Sequence, residues 1–392
     1  MLCAEQRALI KATVPLLESG GEALTNHFYR LMLAEHPEVR PLFNQAHQAS
    51  GDQPRALANG VLMYARHIDR LDQLGDLVAQ VINKHVALQV LPEHYPIVGN
   101  CLLRAIREVL GEAVATDAVI DAWAAAYNQL AQILIDSEEQ LYRTSAQTPG
   151  GWRGARSFRI ARKVIESQEI TSFYLEPEDN GPVVEHKPGQ YIGVRLQVDG
   201  AEIRRNYSLS AASNGRDYRI SVKREPGGVA SNALHGMAIG DRLELFAPAG
   251  QFVLQPGSKP LVLISGGVGI TPTLAMLEEA VSMDRPIHFI HCARNADNHA
   301  FRQTIDALAE RHSQLKRFYC YDEHQGQAHQ PDAVGLMTEE RLDAWLPAER
   351  DLDAYFLGPK PFMAAIRRQL RALGVPEHQA RYEFFGPASA LE

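Results

Sequence analysis

The chain has 392 residues, room for two to four domains at about 100–200 residues each. Its 45% hydrophobic and 22% charged residues describe a packed globular protein rather than a disordered one, and its net charge of -8 argues against nucleic acid as the main partner. No apolar run approaches the ~18–20 residues of a bilayer span, and the start of the chain, with Glu5, Arg7 and Lys11, lacks an apolar signal core, so a cytoplasmic protein is expected.

From Cys3 to about Tyr142 apolar residues recur at three- and four-residue spacing, broken at Gly20-Gly21, Pro37, Gly51-Asp52, Pro92 and Gly111. That rhythm predicts about seven helices joined by short connections. Tyr29 lies in the second helix, within a turn of Met32 and Leu33, and Phe43 follows the Pro37 and Pro41 breaks. Asp52 reads as an N-cap, with Gln53 and Pro54 in the first turn and Leu57 one turn beyond. In the next helix Leu74, Leu77, Val78, Val81, Ile82 and His85 share a stripe, which turns His85 inward. Alone, His85 reads as a satisfied core histidine. Tyr95 lies on the following stripe with Val98, Leu102 and Val109, and Glu138 on the last with Tyr127, Leu130, Ala131, Leu134 and Leu141. A carboxylate on an apolar stripe is costly unless paired; either the last helix frays and solvates Glu138, or one network satisfies all three polar residues.

Residues 144–155, TSAQTPGGWRGA, read as a linker. Short β-rich runs follow at Ser157–Ile165, Thr171–Glu176, Tyr191–Gln197, Asn206–Ser210, Tyr218–Val222 and Arg242–Phe246, the pattern of a small antiparallel barrel. Beyond Ser258 strands and helices alternate: strands at Pro260–Ile264, Pro286–Cys292, Arg317–Tyr321, Ala354–Leu357 and Arg381–Phe385, helices at Pro272–Val281, His299–His312, Glu339–Trp345 and Pro361–Leu373. This predicts an open parallel α/β sheet. The expected organisation is therefore an all-α domain over 1–143, a linker over 144–155, a β-barrel over 156–256 and an α/β domain over 257–392. The four cysteines, Cys3, Cys101, Cys292 and Cys320, form no CxxC pair, which argues against a zinc knuckle or Cys-ligated cluster and suits reduced cytosolic thiols.

Tyr29, Phe43, Gln53, Leu57, Lys84-His85 and Tyr95, taken together, resemble the globin domain of bacterial flavohaemoglobins over the whole first zone. The resemblance implies one haem b per chain, His85 as the proximal iron ligand, Phe43 packed on the porphyrin, and Leu57 and Lys84 in the pocket. It implies Tyr29, with Gln53 nearby, as hydrogen-bond donor to dioxygen, and Tyr95 and Glu138 as the network behind His85, where a hydrogen bond strengthens the imidazole as a donor to iron.

The second zone resembles the ferredoxin–NADP⁺ reductase superfamily. Arg205-Asn206-Tyr207-Ser208 matches its RxY(S/T) signature: a planar cation for a flavin pyrophosphate, a ring for the isoalloxazine and a hydroxyl for a polar ring atom. Lys187-Pro-Gly-Gln-Tyr191 looks like its PGQ(Y/F) strand start, and Val222 to Gly228, running on to Ser231, like its second phosphate element, where glycines ahead of a helix aim N–H groups at an anion. In the third zone Gly266-Gly-Val-Gly-Ile-Thr-Pro272 resembles the superfamily's GG(V/I)GxTP turn, placing Gly267, Val268, Gly269, Ile270, Thr271 and Pro272 at the nicotinamide nucleotide. Gly358-Pro359, followed by Phe362-Met363, matches its GPxxFM element, with Leu357 at the usual cysteine position. Tyr382 to Pro387 resembles the ECFGP ending, with Phe384 for cysteine, and implies flavin contacts from Phe384, Phe385, Gly386 and Pro387.

The resemblance implies one FAD per chain, NADH or NADPH as donor, and nitric oxide dioxygenase activity: electrons pass from NAD(P)H through FAD to haem, and nitric oxide and dioxygen become nitrate. A general haem/flavin reductase and an oxygen or nitric oxide sensor are the alternatives, the latter disfavoured because no signalling module is left over. Arg294, just past a strand, is a weak hint of a 2′-phosphate site. A monomer is expected; whether a lipid or azole-like ligand occupies the distal pocket is left open.

Overall fold

The computed structural model describes residues 2–324 and 329–386, and these fall into two compact units. The first is residues 1–147 with the short segment 200–205 and Gly386; the second holds most of the remaining chain.

The first unit is helical: α1 (Ala4–Ala12), α2 (Val14–Glu35), α3 (Gln45–Ala49), α4 (Asp52–Arg66), α5 (Gly75–Leu88), α6 (His94–Leu110) and α7 (Asp117–Gln147). The stripes read in the sequence pack inward: α2 lies on α4 and α6, and α7 on α5 and α6. Phe28, Met32, Leu102, Ile106 and Trp123 meet in one core, where each large apolar side chain contributes about 1.5–3 kcal/mol by leaving water. Gly51, not Asp52, is the N-cap of α4; its φ of +76° suits glycine. Asp52 is the first helical residue, its carboxylate taken by the Ser50 hydroxyl and Arg55. Helix α7 runs to Gln147, past the expected end at 143. Val109 and Leu141, placed on buried stripes by spacing, are exposed near helix ends.

Six antiparallel strands follow: β1 (Arg156–Ile165), β2 (Ile170–Pro177), β3 (Tyr191–Val198), β4 (Ala201–Ser208), β5 (Tyr218–Lys223) and β6 (Arg242–Leu245), with α8 (Val229–Gly236) between the last two; all lie in the second unit except the first residues of β4, up to Arg205. The sheet order is β4-β3-β6-β1-β2-β5, and a bridge from Leu209 to Ile220 draws the end of β4 toward β5, curling the sheet into the expected barrel.

There follow β7 (Leu261–Gly266), α9 (Ile270–Ala280), β8 (Ile287–Ala293), α10 (Arg302–Arg311), β9 (Leu315–Tyr321), β10 (Ala333–Val334), α11 (Glu339–Trp345), β11 (Asp353–Leu357), α12 (Lys360–Ala372) and β12 (Ala380–Tyr382). These strands form a parallel sheet ordered β10-β9-β8-β7-β11-β12. β7 is buried throughout, as its unbroken apolar run requires. The chain leaves β7 toward β8 and returns to β11 on the other side, so the switch point of the sheet lies between β7 and β11. Crevices at the carboxyl ends of such strands are where open α/β sheets bind ligands. Two elements depart from expectation. α10 starts at Arg302 rather than His299, because Phe301 takes a left-handed φ of +62°. β12 ends at Tyr382, so Phe384 and Phe385 lie beyond the strand.

Barrel and sheet interlock within this unit. Glu278 on α9 takes Arg219 of β5 at 2.9 Å and the Ala212 N–H at 2.8 Å.

Candidate active site

Three helices converge on His85. Its Nδ1 lies 2.7 Å from Glu138 Oε1 and 3.2 Å from the Tyr95 hydroxyl, and that hydroxyl donates to Glu138 Oε1 at 2.7 Å. Glu138 is only 2% exposed, so the network reading of the sequence holds and the frayed-helix reading does not. A carboxylate only accepts, which assigns the proton of His85 to Nδ1 and leaves Nε2 with a lone pair. Burial, then the charge of Glu138, pushes the Tyr95 hydroxyl far above its ordinary pKa, so it remains a donor. Tyr127 donates to the Tyr95 carbonyl at 2.6 Å. Gly99 makes room for that ring, since a Cβ there would stand 2.5 Å from Tyr127 Cε1.

Tyr29 is buried, edge-on to Phe43 with ring centroids 5.6 Å apart. Burial raises its pKa strongly, and Gln53 opposes that rise. Leu57 packs against the same core. Lys84 donates to the Gly386 carbonyl at 2.5 Å within the first unit. The sequence reading missed Arg204, which in that unit donates to the Leu88 carbonyl at 2.7 Å and the Gln89 carbonyl at 3.3 Å. It caps the carboxyl end of α5, the helix of His85, where a cation suits the helix dipole.

On the barrel, Arg205, Asn206, Tyr207 and Ser208 occupy the half-buried end of β4. Arg205 donates to the Arg204 carbonyl at 2.6 Å. Asn206 Oδ1 is buried with no hydrogen-bond partner among the described residues, an unmet acceptor of the kind a bound group satisfies. Tyr191 on neighbouring β3 is buried, pressed on by Gly250, where a Cβ would stand 2.8 Å from its ring. Gly228 caps α8, and Ser231 Oγ accepts from the Glu225 N–H at 3.2 Å. A Cβ at Gly228 would meet Ser231 Oγ at 2.7 Å. These residues fit FAD: a cation, a glycine helix start and an unmet acceptor. Phe385 is 48% exposed, and Phe384 stands edge-on to Tyr382 at 5.7 Å. Pro387, expected to contact flavin, lies outside the described residues.

At the switch point β7 ends in a tight turn, Gly267–Gly269, and α9 starts at Ile270. A Cβ at Gly269 would stand 2.4 Å from the Leu357 carbonyl oxygen, and one at Gly358 2.6 Å from Phe362. The glycines therefore let the ends of β7 and β11 close on each other. Thr271 Oγ1 donates to the Val268 carbonyl at 3.0 Å, holding the turn onto the helix, with Pro272 in the first turn. Together with Pro359, these residues fit a pyrophosphate laid across a helix N-terminus. Arg294 instead donates to Glu169 Oε2 at 2.5 Å.

A helical domain with an oriented histidine, followed by a flavin-type barrel and a nucleotide-type sheet, defines an electron-transferring haem protein fused to its own reductase. The comparisons agree zone by zone: residues 26–134 match the globin family, 157–254 the oxidoreductase FAD-binding domain and 263–368 the oxidoreductase NAD-binding domain. The chain is 70% identical to a flavohemoprotein of Pseudomonas putida and 68% identical to one of Pseudomonas aeruginosa, each over 100% of both chains. It also resembles the crystal structure of flavohemoglobin from Malassezia yamatoensis with bound FAD and heme, with TM-score 0.88 and 27% identity over 98% of this chain and 100% of that one. The FAD/NAD-binding domain of a nitric oxide dioxygenase from Vibrio cholerae is 37% identical over 60% of this chain and 100% of that chain, with TM-score 0.55. The chain belongs to the flavohemoprotein family, and its cofactors are haem, FAD and a nicotinamide nucleotide. No described helix is long and apolar enough to cross a membrane.

Proposed function

We propose that the chain is an NAD(P)H-dependent nitric oxide dioxygenase that disposes of nitric oxide in the cytoplasm as a monomer. Two nitric oxide and two dioxygen molecules, with one NAD(P)H, become two nitrates, NAD(P)⁺ and a proton. When bound, the nucleotide supplies a hydride, the flavin divides it into single electrons, and the haem iron supplies the gas-binding centre.

His85 would hold the haem iron through Nε2, the ring nitrogen that faces away from Glu138. Glu138 and Tyr95 fix the ring and lend the imidazole anionic character, the second-shell arrangement that raises ligand basicity. Tyr29, with Gln53 nearby, would donate a hydrogen bond to dioxygen, and Phe43 and Leu57 keep the pocket apolar. Tyr191, Arg205, Asn206, Tyr207, Ser208, Gly228 and Ser231 would hold FAD, with Phe384, Phe385 and Gly386 toward its ring side. The 267–272 turn, with Gly358 and Pro359, holds the nicotinamide nucleotide.

The observation that supports the dioxygenase reading most directly is the buried Tyr29 hydroxyl, its ring edge-on to Phe43. A hydroxyl set in an apolar pocket suits a protein that stabilises dioxygen, which a simple electron relay to added acceptors does not need. The test is nitric oxide consumption at an electrode by the purified holoprotein with NADH and oxygen. Rapid consumption with stoichiometric nitrate is expected. NADH oxidation that yields superoxide or peroxide at an unchanged rate when nitric oxide is added would favour the general reductase.

A further inference from the structure

Cys292 and Cys320 are 28 residues apart in sequence (320 minus 292), and the fold makes them direct partners. They are in-register Cα partners on the adjacent parallel strands β8 and β9. Cys320 Sγ donates to the Gly335 carbonyl at 3.0 Å, and Arg341 Nη1 stands 4.0 Å from it. Both cysteines are free thiols, Cys320 buried and Cys292 partly open to solvent.

Neighbouring strands are about 4.7–4.9 Å apart, inside the 4.4–6.8 Å Cα separation that disulfides span. Their Cβ atoms must close to about 3.5–4.5 Å, so a bond here draws the strands together and is of the strained, readily reduced kind. The row has a third member: Gly266, at the head of the nucleotide turn, is the Cα partner of Cys292 on β7. On the same face, Phe362 of the Gly358-Pro359 element would be 3.1 Å from a Cβ at Gly266, and Phe362 and Cys292 pack against the core cluster that contains Cys320.

We infer that Cys292 and Cys320 form a reversible redox dithiol, oxidised by hydroperoxides to an intrachain disulfide that weakens nucleotide binding at the adjoining turn. The nucleotide clause rests on the function proposed above; the thiol chemistry does not. The sulfur that solvent reaches, Cys292, attacks the hydroperoxide and passes its proton to the leaving oxygen. An S–O bond forms, the O–O bond breaks and an alcohol (water, for hydrogen peroxide) leaves. Cys320 then attacks that sulfur, forming S–S, breaking S–O and releasing water. In sum, two thiols and ROOH give a disulfide, ROH and water; the sulfurs lose two electrons and the peroxide gains them.

The test uses the reduced holoprotein. NADH affinity is measured first, so that failure to bind NADH at all, which would fault the nicotinamide reading, is separate from failure of the cross-link. Stoichiometric hydrogen peroxide is then added and the peptides are mapped by mass spectrometry without reduction. A Cys292–Cys320 cross-linked peptide is expected, two hydrogens lighter, reversed by dithiothreitol, and accompanied by about tenfold weaker NADH binding, a loss of about 1.4 kcal/mol. C292S and C320S should each abolish both the cross-link and the peroxide effect, and C292S should bind NADH as the reduced protein does. Conversion of Cys292 to sulfinic acid without a cross-link would overturn the inference, as would a cross-link that leaves NADH affinity unchanged.

Discussion

Glu138 Oε1 stands 2.7 Å from His85 Nδ1 at a depth where the carboxylate is only 2% exposed. A carboxylate so placed acts on the imidazole as a fixed negative charge. Glu138→Gln keeps the shape and removes the charge. The iron–histidine stretch of the reduced holoprotein should fall in frequency by resonance Raman, and nitric oxide turnover should drop about 10–100-fold, the usual cost of losing such a partner. An unmoved stretch would take Glu138 out of the network.

Tyr29→Phe removes the hydroxyl and leaves the ring against Phe43. A hydrogen bond is worth about 0.5–1.5 kcal/mol net, so dioxygen should dissociate up to about tenfold faster in stopped flow. Gln53→Ala should reproduce part of that rise, because Gln53 opposes the upward pull of burial on the Tyr29 hydroxyl. Equal off-rates in Y29F and the parent would remove Tyr29 from the distal role.

Gly269→Ala puts a Cβ 2.4 Å from the Leu357 carbonyl oxygen. The ends of β7 and β11 must part, at an overpacking cost of about 1–3 kcal/mol. The KM for NADH should rise while haem absorbance is unchanged. Steady-state kinetics beside a spectrum of the same sample check both.

Glu169 holds Arg294 at 2.5 Å. Glu169→Gln should release the guanidinium toward a 2′-phosphate and shift the NADPH:NADH ratio of kcat/KM in favour of NADPH. Comparing the two nucleotides in parent and variant tests this, and an unaltered ratio removes Arg294 from nucleotide choice.

His291 is fully buried, takes Ser265 at Nδ1 at 2.8 Å, and leaves Nε2 without a partner among the described residues. Burial lowers its pKa to about 3, while in the unfolded chain an imidazole titrates near 6.5. Between those values the unfolded state binds the extra proton, so stability is full above about pH 6.5 and falls as pH drops, by up to about 1.4 kcal/mol per pH unit. His299 beside it, with rings 4.5 Å apart, is lowered in the same direction. Denaturant midpoints from pH 7 to 5 should fall less steeply in His291→Asn than in the parent.

Local pattern carried much of this structure. The stripes of α5, α6 and α7 placed His85, Tyr95 and Glu138 inward, and the cost of a bare carboxylate on an apolar face is what made a network the natural reading. The glycine turns of the nucleotide site were legible because backbone approach forbids side chains there. Helix ends were misjudged where spacing continues past the packed face, as at Val109 and Leu141, or where a glycine takes the cap, as at Gly51. Contacts set by register between distant segments left no trace in the sequence. Arg204 on the Leu88 carbonyl is one case. The Cys292–Cys320 pairing is another, since nothing 28 residues apart announces which strands become neighbours.

Gly99 has a consequence for how this protein could be altered. Two helices touch there with nothing between backbone and ring, and the Tyr127 hydroxyl crosses that gap to grip the Tyr95 carbonyl. Each methylene added at position 99 would wedge the helices apart and loosen the chemistry at His85 well before the helices themselves melt. A graded series of side chains at that one position would thus serve as a dial on metal basicity, set from outside the coordination sphere.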